Sequence, residues 1–240
     1  MSSVEPKAGT LYLLPVWLGE IGDPADMPER NALLAARLRT YFTEHERTAR
    51  AMLRRLVPTI DLTALQLHRL DKDSTPEEID TYVDLLRKGE DAAIVSESGM
   101  PAIADPGAAL VRAAQQAGIR VVPLTGPSSL FLALAASGLN GQHFQFLGYL
   151  PRDPRDRRNA LQRCDREVQQ NGATQMFIET PYRNDALLAD ILKSCSPVTM
   201  LCIATQVTQP DEEIRTRSIA QWRRSTPVIG KRPTVFLLGR

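Results

Sequence analysis

The sequence predicts an α/β protein, and three features of its 240 residues point to this class. Apolar segments of strand length alternate with segments in which apolar residues have helical spacing. Two loops rich in small residues follow neighbouring strand segments. A break rich in proline and charge then separates a first from a second series of elements. Repeated strand–helix units imply a parallel sheet that is covered by helices on both faces.

The first half of the chain supplies the clearest elements. Residues 10–16 form a compact apolar strand candidate, and residues 91–95 have the continuous apolar pattern of a buried strand. Residues 46–56 have the pattern of a basic amphipathic helix. Residues 74–78 combine an N-cap candidate with proline and acids, which predicts a helix start, and Gly89 predicts its end. Further strands are expected at 41–43, 64–68 and 119–124, and further helices at 29–38 and 108–117.

The pattern changes at residues 148–154, where two prolines lie among charged residues. This composition is typical of a linker and predicts two α/β domains, at residues 9–150 and 151–240. A basic helix follows the linker. Strands are then expected at 174–179, 198–204, 212–217 and 233–238, and helices at 184–194 and 218–223. Because the later strands lack long crossovers, the second sheet is expected to be mixed.

The overall composition excludes several classes of protein. A hydrophobic content of 43% and a charged content of 24% are ordinary for a globular chain. The net charge of +1 gives no global basic field, although a local basic patch is compatible with it. Three cysteines without metal-ligand spacing predict a reduced, cytoplasmic protein. No apolar run is long enough to span a membrane.

The two small-residue loops indicate a ligand site. Residues 96–107 follow the buried strand at 91–95, and residues 125–129 follow the strand at 119–124. Ligands of open α/β sheets bind beyond the carboxyl ends of the strands, which is where both loops lie. Neither loop has the glycine spacing of a dinucleotide fingerprint or of a phosphate-binding P-loop.

Five ordered motifs together resemble those of one family. They occur at residues 9–15, 96–107, 124–129, 148–151 and 179–183. The resemblance covers nearly the whole chain and is to the tetrapyrrole methylase superfamily, the class III methyltransferases that use S-adenosylmethionine (SAM). Within it, the chain is most similar to the branch that methylates a cytidine ribose 2′-oxygen of 16S rRNA. The resemblance implies two α/β domains with SAM in the cleft between them, a homodimer and an RNA substrate.

The resemblance also implies which residues bind SAM, and the two loops and the end of the first strand each have a purely structural alternative. The loop at residues 99–103 could be a tight turn without a ligand, and residues 125–129 could simply cap a helix. Core packing is the alternative for the end of the first strand. The implied cofactor-binding residues are Pro15, Val16, Gly99, Met100, Pro101, Ile103, Ser128, Ser129, Thr180, Ala204, Pro233 and Thr234.

The motifs expected to face the substrate depart from the family pattern. The branch has Ala-Glu-Asp-Thr-Arg where this chain has residues 43–47, Thr-Glu-His-Glu-Arg. Residues 204–206 and 231–233 depart from the branch as well. Glu44, His45 and Arg47 remain the catalytic candidates, because a ribose hydroxyl needs a base or electrostatic help to lose its proton. A surface histidine is the alternative for His45, and nothing in the sequence requires a metal.

Three functions therefore follow from the sequence. The first is SAM-dependent methylation of RNA, with phosphate contacts from a run of arginines that could equally be a solvated helix face. The second is methylation of a small molecule such as a corrin-type macrocycle. The third is a degenerate SAM-binding protein without transferase activity. The arginines of the run are Arg152, Arg155, Arg157, Arg158, Arg163 and Arg166.

Overall fold

The computed structural model describes residues 7–19, 21 and 23–240. The protein is α/β and contains two five-stranded sheets, which confirms the predicted fold class. The chain divides into two compact units, residues 1–127 and 128–240. Among the described residues, no helix combines the length and the apolar character that crossing a membrane requires.

The first unit contains a fully parallel sheet in the order β3-β2-β4-β1-β5. Its strands are β1 (Thr10–Leu14), β2 (Thr40–Thr43), β3 (Gln66–Arg69), β4 (Ala92–Val95) and β5 (Arg120–Pro123). Its helices are α1 (Glu29–Ala35), α2 (Glu46–Leu56), α3 (Pro76–Arg87) and α4 (Ala108–Gln116). Each predicted element of this half is therefore present, with ends that differ by up to a few residues.

The central strands of this sheet are buried on both faces. Phe42 and Ile94 pack into an apolar cluster with α3 and α4 on one face, whereas Tyr41 and Val95 pack into a cluster with α2 on the other. All four residues of β4 are buried. Two-sided burial explains why this strand has a continuous apolar sequence rather than alternating polarity.

The start of α3 shows how local sequence sets an element boundary. Thr75 is the N-cap, and its side chain accepts a hydrogen bond from the N–H of Glu78. The Glu78 carboxylate in turn accepts a bond from the N–H of Thr75 at 2.8 Å. This capping box satisfies two N–H groups that a helix start would otherwise leave unpaired. The predicted start at residues 74–78 is confirmed.

The second unit contains a mixed sheet in the order β6-β7-β10-β8-β9. Strands β6 and β7 are parallel, whereas β10 is antiparallel to both of its neighbours. The strands are β6 (Phe144–Tyr149), β7 (Thr174–Ile178), β8 (Met200–Thr205), β9 (Glu213–Ser218) and β10 (Thr234–Gly239). The helices are α5 (Ser129–Ser137), α6 (Pro154–Asn171), α7 (Asn184–Ser194) and α8 (Ile219–Arg224).

The division between the units differs from the one expected after residue 150. It falls between Pro127 and Ser128. The reason is β6, which pairs with β7 in the second sheet and therefore belongs to the second unit. The prolines at 151 and 154 lie in the connection from β6 to α6, inside that unit, and Pro154 is the first residue of α6.

The basic helix α6 is not a uniformly solvated face. Arg157 is buried, and its Nε and Nη2 atoms donate to Oδ2 of Asp190 on α7 at 2.8 and 2.5 Å. Arg158 is half-buried and lies 3.4 Å from the other oxygen of the same carboxylate. By contrast, Arg152, Arg155, Arg163 and Arg166 are exposed. Arg157 and Arg158 therefore help to pack α6 against α7, whereas the other arginines of the run face solvent.

Replacing Asp190 by Ala is expected to lower the free energy of unfolding by about 3 kcal/mol, because it leaves the buried Arg157 guanidinium without its counter-charge. Chemical denaturation of the purified variant measures this loss. The control is Asp84→Asn, which removes the exposed partner of Arg87 and is expected to change stability by less than about 0.5 kcal/mol. Equal stability losses in the two variants would contradict the structural role of the buried pair.

Candidate functional site

The carboxyl edge of the first sheet gathers three segments that the sequence singled out. Leu14, Val95 and Thr43 are in register across β1, β4 and β2. The chain leaves these strands into residues 15–18, 96–107 and 44–47. Because parallel strands end at the same edge, the three segments lie side by side at the position where α/β sheets bind ligands.

The segment that follows β4, residues 96–107, is anchored at Gly99. The carbonyl of Gly99 accepts hydrogen bonds from the N–H of Val16 at 2.9 Å and from Oγ of Ser96 at 3.0 Å. Ser98 Oγ donates to the carbonyl of Leu18 at 3.2 Å. The predicted cofactor residues Val16 and Gly99 are thus in direct contact through their backbones.

This segment holds four residues with left-handed backbone. Their φ angles are +70° at Gly99, +63° at Ala102, +62° at Ala104 and +129° at Gly107. Alanine adopts this region only at a cost, roughly 1–3 kcal/mol for each such residue. Within the described residues, the N–H groups of residues 100 and 102–104 donate no hydrogen bond. The loop therefore presents free backbone donors on a strained scaffold.

Because Gly99 has no side chain, atoms of a neighbouring loop can pack directly against its backbone. A Cβ atom there would lie 2.8 Å from Cδ2 of Leu18, and at Gly126 it would lie 2.3 Å from Cγ of Pro15. The carbonyl of Thr125 accepts a 2.8 Å bond from the buried Asn31 side chain. These glycines thus allow close packing of neighbouring loops. Pro101 is buried, Met100 is half-buried, and Ile103 is 46% exposed.

The other cofactor candidates lie in the second unit. Ser128 is the N-cap residue of α5, but its hydroxyl makes no capping hydrogen bond. Ser129 begins the helix, and both serines are half-buried. Ser128 therefore occupies the N-cap position without a side-chain capping bond, so its hydroxyl does not stabilise the helix start.

Four further candidates meet at one end of the second sheet. Thr180 lies just beyond the end of β7, and Thr234 pairs with Thr205 beside Ala204. Asn184 donates to the carbonyls of Gly230 and Arg232, immediately before Pro233.

Two buried acceptor atoms mark this end of the sheet. Oε1 of Glu179 accepts bonds from the Thr180 N–H and from Arg183. Oε2 of Glu179 and Oδ1 of Asn184 have no hydrogen-bond partner among the described residues. Unpaired buried acceptors favour a donor from water or from a ligand.

The catalytic candidates lie at the end of β2. Glu44 is half-buried, whereas His45 and Arg47 are exposed. Nδ1 of His45 lies 3.4 Å from Oε1 of Glu97, and the two side chains are 65% and 35% exposed. A cleft of about 560 Å³ opens beside them. It is lined by Thr43, Glu44, His45, Glu46, Arg47, Leu67, His68, Arg69 and Asp71.

Two acidic residues of the site were absent from the residues predicted by sequence. Glu97 reaches His45, and Asp105 lies near Glu44 and Glu97. Burial, reinforced by the negative charges of Glu44 and Glu97, raises the pKa of Asp105 to about 6. A shifted pKa in a loop at a ligand-binding edge is typical of functional residues. The signal available in the sequence was only their position in the loop at 96–107.

The other potentially reactive side chains, His68 and the three cysteines, pack against neighbouring residues of the fold. His68 packs against the rings of Phe42 and Tyr82, and Cys164, Cys195 and Cys202 are free and buried. Burial raises the pKa of the Cys164 thiol to about 11, so this cysteine is a poor nucleophile. Within the part of the chain that the structure describes, no cluster of three or more possible metal ligands occurs.

Comparison with known proteins identifies the class. The family model for Tetrapyrrole (Corrin/Porphyrin) Methylases matches residues 21–222. The crystal structure of the methyltransferase CobJ superposes with a TM-score of 0.64 at 20% identity, covering 97% of this chain and 95% of that chain. The two α/β units and the matched model define a SAM-dependent methyltransferase. The chain belongs to the tetrapyrrole methylase family.

Two relatives share more sequence. Ribosomal RNA small subunit methyltransferase I of Xylella fastidiosa is 33% identical over 212 residues, which are 88% of this chain and 73% of that protein. The protein of the same name from Micromonospora olivasterospora is 34% identical over 209 residues, 87% of this chain and 63% of that protein. The chain thus spans about two thirds of the length of these relatives.

Replacing Asp105 by Asn is expected to stabilise the protein at neutral pH. Its pKa is higher in the folded state than the ordinary value of 3.8, so the folded protein retains a proton between about pH 4 and 6 that the unfolded chain has lost. The free energy of unfolding therefore falls as pH rises through this window.

Asn cannot ionise, so the variant should gain about 2 kcal/mol over the wild type above pH 7 and nothing near pH 3. Denaturant titrations at both pH values measure the difference. A gain of equal size at pH 3 would show that the effect does not arise from ionisation.

Proposed function

We propose that this methyltransferase transfers the methyl group of SAM to a ribose 2′-oxygen of ribosomal RNA. The observation that carries the proposal is the carboxyl edge of the first sheet, where the Gly99 loop adjoins the segment holding Glu44 and His45. One loop has free backbone donors for the cofactor, and the other has groups that accept protons. The names of the two relatives support ribosomal RNA as the acceptor.

Each unit, taken by itself, has groups that suit parts of SAM. The free N–H groups at residues 100 and 102–104 suit the carboxylate of its amino-acid part, because strained loops present backbone donors to anions. The unpaired acceptors of Glu179 and Asn184 suit hydroxyl or amino donors. When bound, SAM supplies a methyl group on a sulfonium centre. We propose contacts from Pro15, Val16, Gly99, Met100, Pro101, Ile103, Ser128, Ser129, Thr180, Ala204, Pro233 and Thr234.

The exposed arginines give the proposed RNA its phosphate contacts. Arg155, Arg163 and Arg166 are exposed on α6, and Arg47 and Arg54 are exposed on α2. Two other arginines are committed to the fold, Arg157 by Asp190 and Arg50 by Glu46 and the carbonyl of Leu62. With a net charge of +1, affinity for RNA has to come from such local groups.

We also propose that the enzyme is a cytoplasmic homodimer. The second unit exposes Phe131, Leu132, Phe144 and Tyr149, and the rings of Phe131 and Phe144 meet edge to face at 6.1 Å. Exposed large apolar side chains that cluster, as Phe131 and Phe144 do, are typical of a protein interface. The cytoplasm is where ribosomal RNA is found, and three buried free thiols are compatible with a reducing compartment.

Replacing Ile103 by Glu is expected to weaken SAM binding at least tenfold without destabilising the fold, because this exposed residue lies among the free N–H groups and would bring a negative charge to the carboxylate of SAM. Isothermal calorimetry measures the affinity, and thermal unfolding checks the fold. The control is Val198→Glu, at an exposed valine of the second unit. Unchanged SAM affinity in the Ile103 variant would contradict the cofactor role of this loop.

Purified enzyme with labelled SAM should label 16S rRNA from cells that lack the enzyme. Replacing Arg155, Arg163 and Arg166 together by Ala should reduce the slope of log affinity against log salt by about 2–3, since each lost phosphate contact removes about one unit. The control replaces the exposed Arg87, Arg112 and Arg120 of the first unit.

The other two functions predict different outcomes of this labelling experiment. Label in a small-molecule fraction and none in RNA would identify a metabolite methylase. SAM binding without transfer to either fraction would identify a degenerate binder. An unchanged salt slope in the α6 variant would place the RNA on another surface.

A further inference from the structure

The contact between His45 and Glu97 follows from strand register. Thr43 of β2 and Val95 of β4 are paired across the parallel sheet. His45 and Glu97 each lie two residues beyond this pair, at equivalent places on neighbouring loops. Their side chains meet with Nδ1 of the imidazole 3.4 Å from Oε1 of the carboxylate. The contact between His45 and Glu97 therefore depends on the pairing of β2 with β4.

A carboxylate beside Nδ1 determines which nitrogen of the ring can act as a base. Its negative charge, 3.4 Å from Nδ1, favours the tautomer of the neutral imidazole that carries its proton on Nδ1. Nε2 then has a free lone pair. His45 is 65% exposed and lines the cleft of about 560 Å³, so a substrate can reach the ring. A base held by a third group is the general arrangement for activating a hydroxyl nucleophile.

We propose that His45 is the general base of methyl transfer and that Glu97 is its positioning residue. This proposal rests on the proposed transfer to a ribose hydroxyl. Nε2 takes the hydroxyl proton as the oxygen forms a bond to the methyl carbon. The carbon–sulfur bond of the donor breaks, and its electron pair stays on sulfur. The products are a methyl ether, S-adenosylhomocysteine and an imidazolium at His45.

Charged side chains from several segments surround His45. Glu97 contacts the ring, and Glu44 precedes His45 in the chain. The negative charges of both carboxylates help to raise the pKa of Asp105. Arg47, Arg69 and His68 are the basic groups that line the same cleft. Arg69 is neutralised by its ion pair with Asp71. Among the described residues, the ion-pair partner of the ring is the Glu97 carboxylate.

The tautomer of His45 tests the pair without any substrate. The chain has three histidines, so nitrogen-detected NMR of the intact protein can assign each ring. We expect the neutral ring of His45 to carry its proton on Nδ1, and Glu97→Ala to shift it towards Nε2. The control Asp84→Asn removes an exposed carboxylate on α3 and should leave the spectrum of His45 unchanged. A wild-type His45 protonated on Nε2 would overturn the proposal.

Kinetics test the catalytic role separately. His45→Ala should lower kcat for RNA methylation 100-fold or more, with KM values for SAM and RNA within about threefold of wild type. Added imidazole should restore part of the rate. Glu97→Ala should lower kcat about tenfold. Transfer that survives His45→Ala would overturn the base assignment alone, whereas a wild-type enzyme that never labels RNA would overturn both this proposal and the proposed function.

Discussion

The parallel register of β1, β4 and β2 is the constraint on which the site depends. Leu14, Val95 and Thr43 end these strands in one row, so the segments that follow have to leave the sheet together. The bond from Val16 to Gly99 and the contact of His45 with Glu97 are both consequences of this alignment. A shift of register by one residue would turn each side chain of the moved strand to the other face and separate these partners.

Residues at the carboxyl edge of the first sheet contribute unequally to the stability of the fold. The buried strands supply stability, while the loop after β4 holds two left-handed alanines and a carboxyl whose pKa is raised to about 6. Such features cost free energy and persist only where the surroundings fix them. Here the surroundings include the two donors to the Gly99 carbonyl and the packing of Leu18 on Gly99. The N–H groups of residues 100 and 102–104 in this loop donate no hydrogen bond, so a ligand can use them.

Much of the fold was predictable because its signals are local. The helices at 46–56 and 184–194 have the predicted ends, since amphipathic spacing and flanking residues determine them. Strand β6 was not predicted, because Gly148 interrupts a short segment at the edge of the sheet, and its pairing with β7 moves the division of the units to 127/128. Burial of Arg157 depends on Asp190, which lies on another helix.

The candidate site was predictable only in part, because some of its contacts join residues that are distant in the sequence. A loop of small residues after a buried strand can be recognised in sequence, and so can a polar segment after the next strand. Which side chains meet depends on register, a property of pairs of strands. Glu97 and Asp105 therefore became candidates only once β2 and β4 were seen to be paired.

In the proposed reaction, the charge distribution assigns RNA binding and activation of the ribose hydroxyl to different residues. Carboxylates concentrate where β2 and β4 end, and their negative charge suits a cationic sulfonium donor. The same carboxylates repel phosphate, so this edge can accept a ribose but contributes little affinity for an RNA backbone. The exposed arginines of α6 have the complementary property. Selection of the nucleic acid and activation of its hydroxyl are then separate tasks, performed by different residues of a chain whose net charge is only +1.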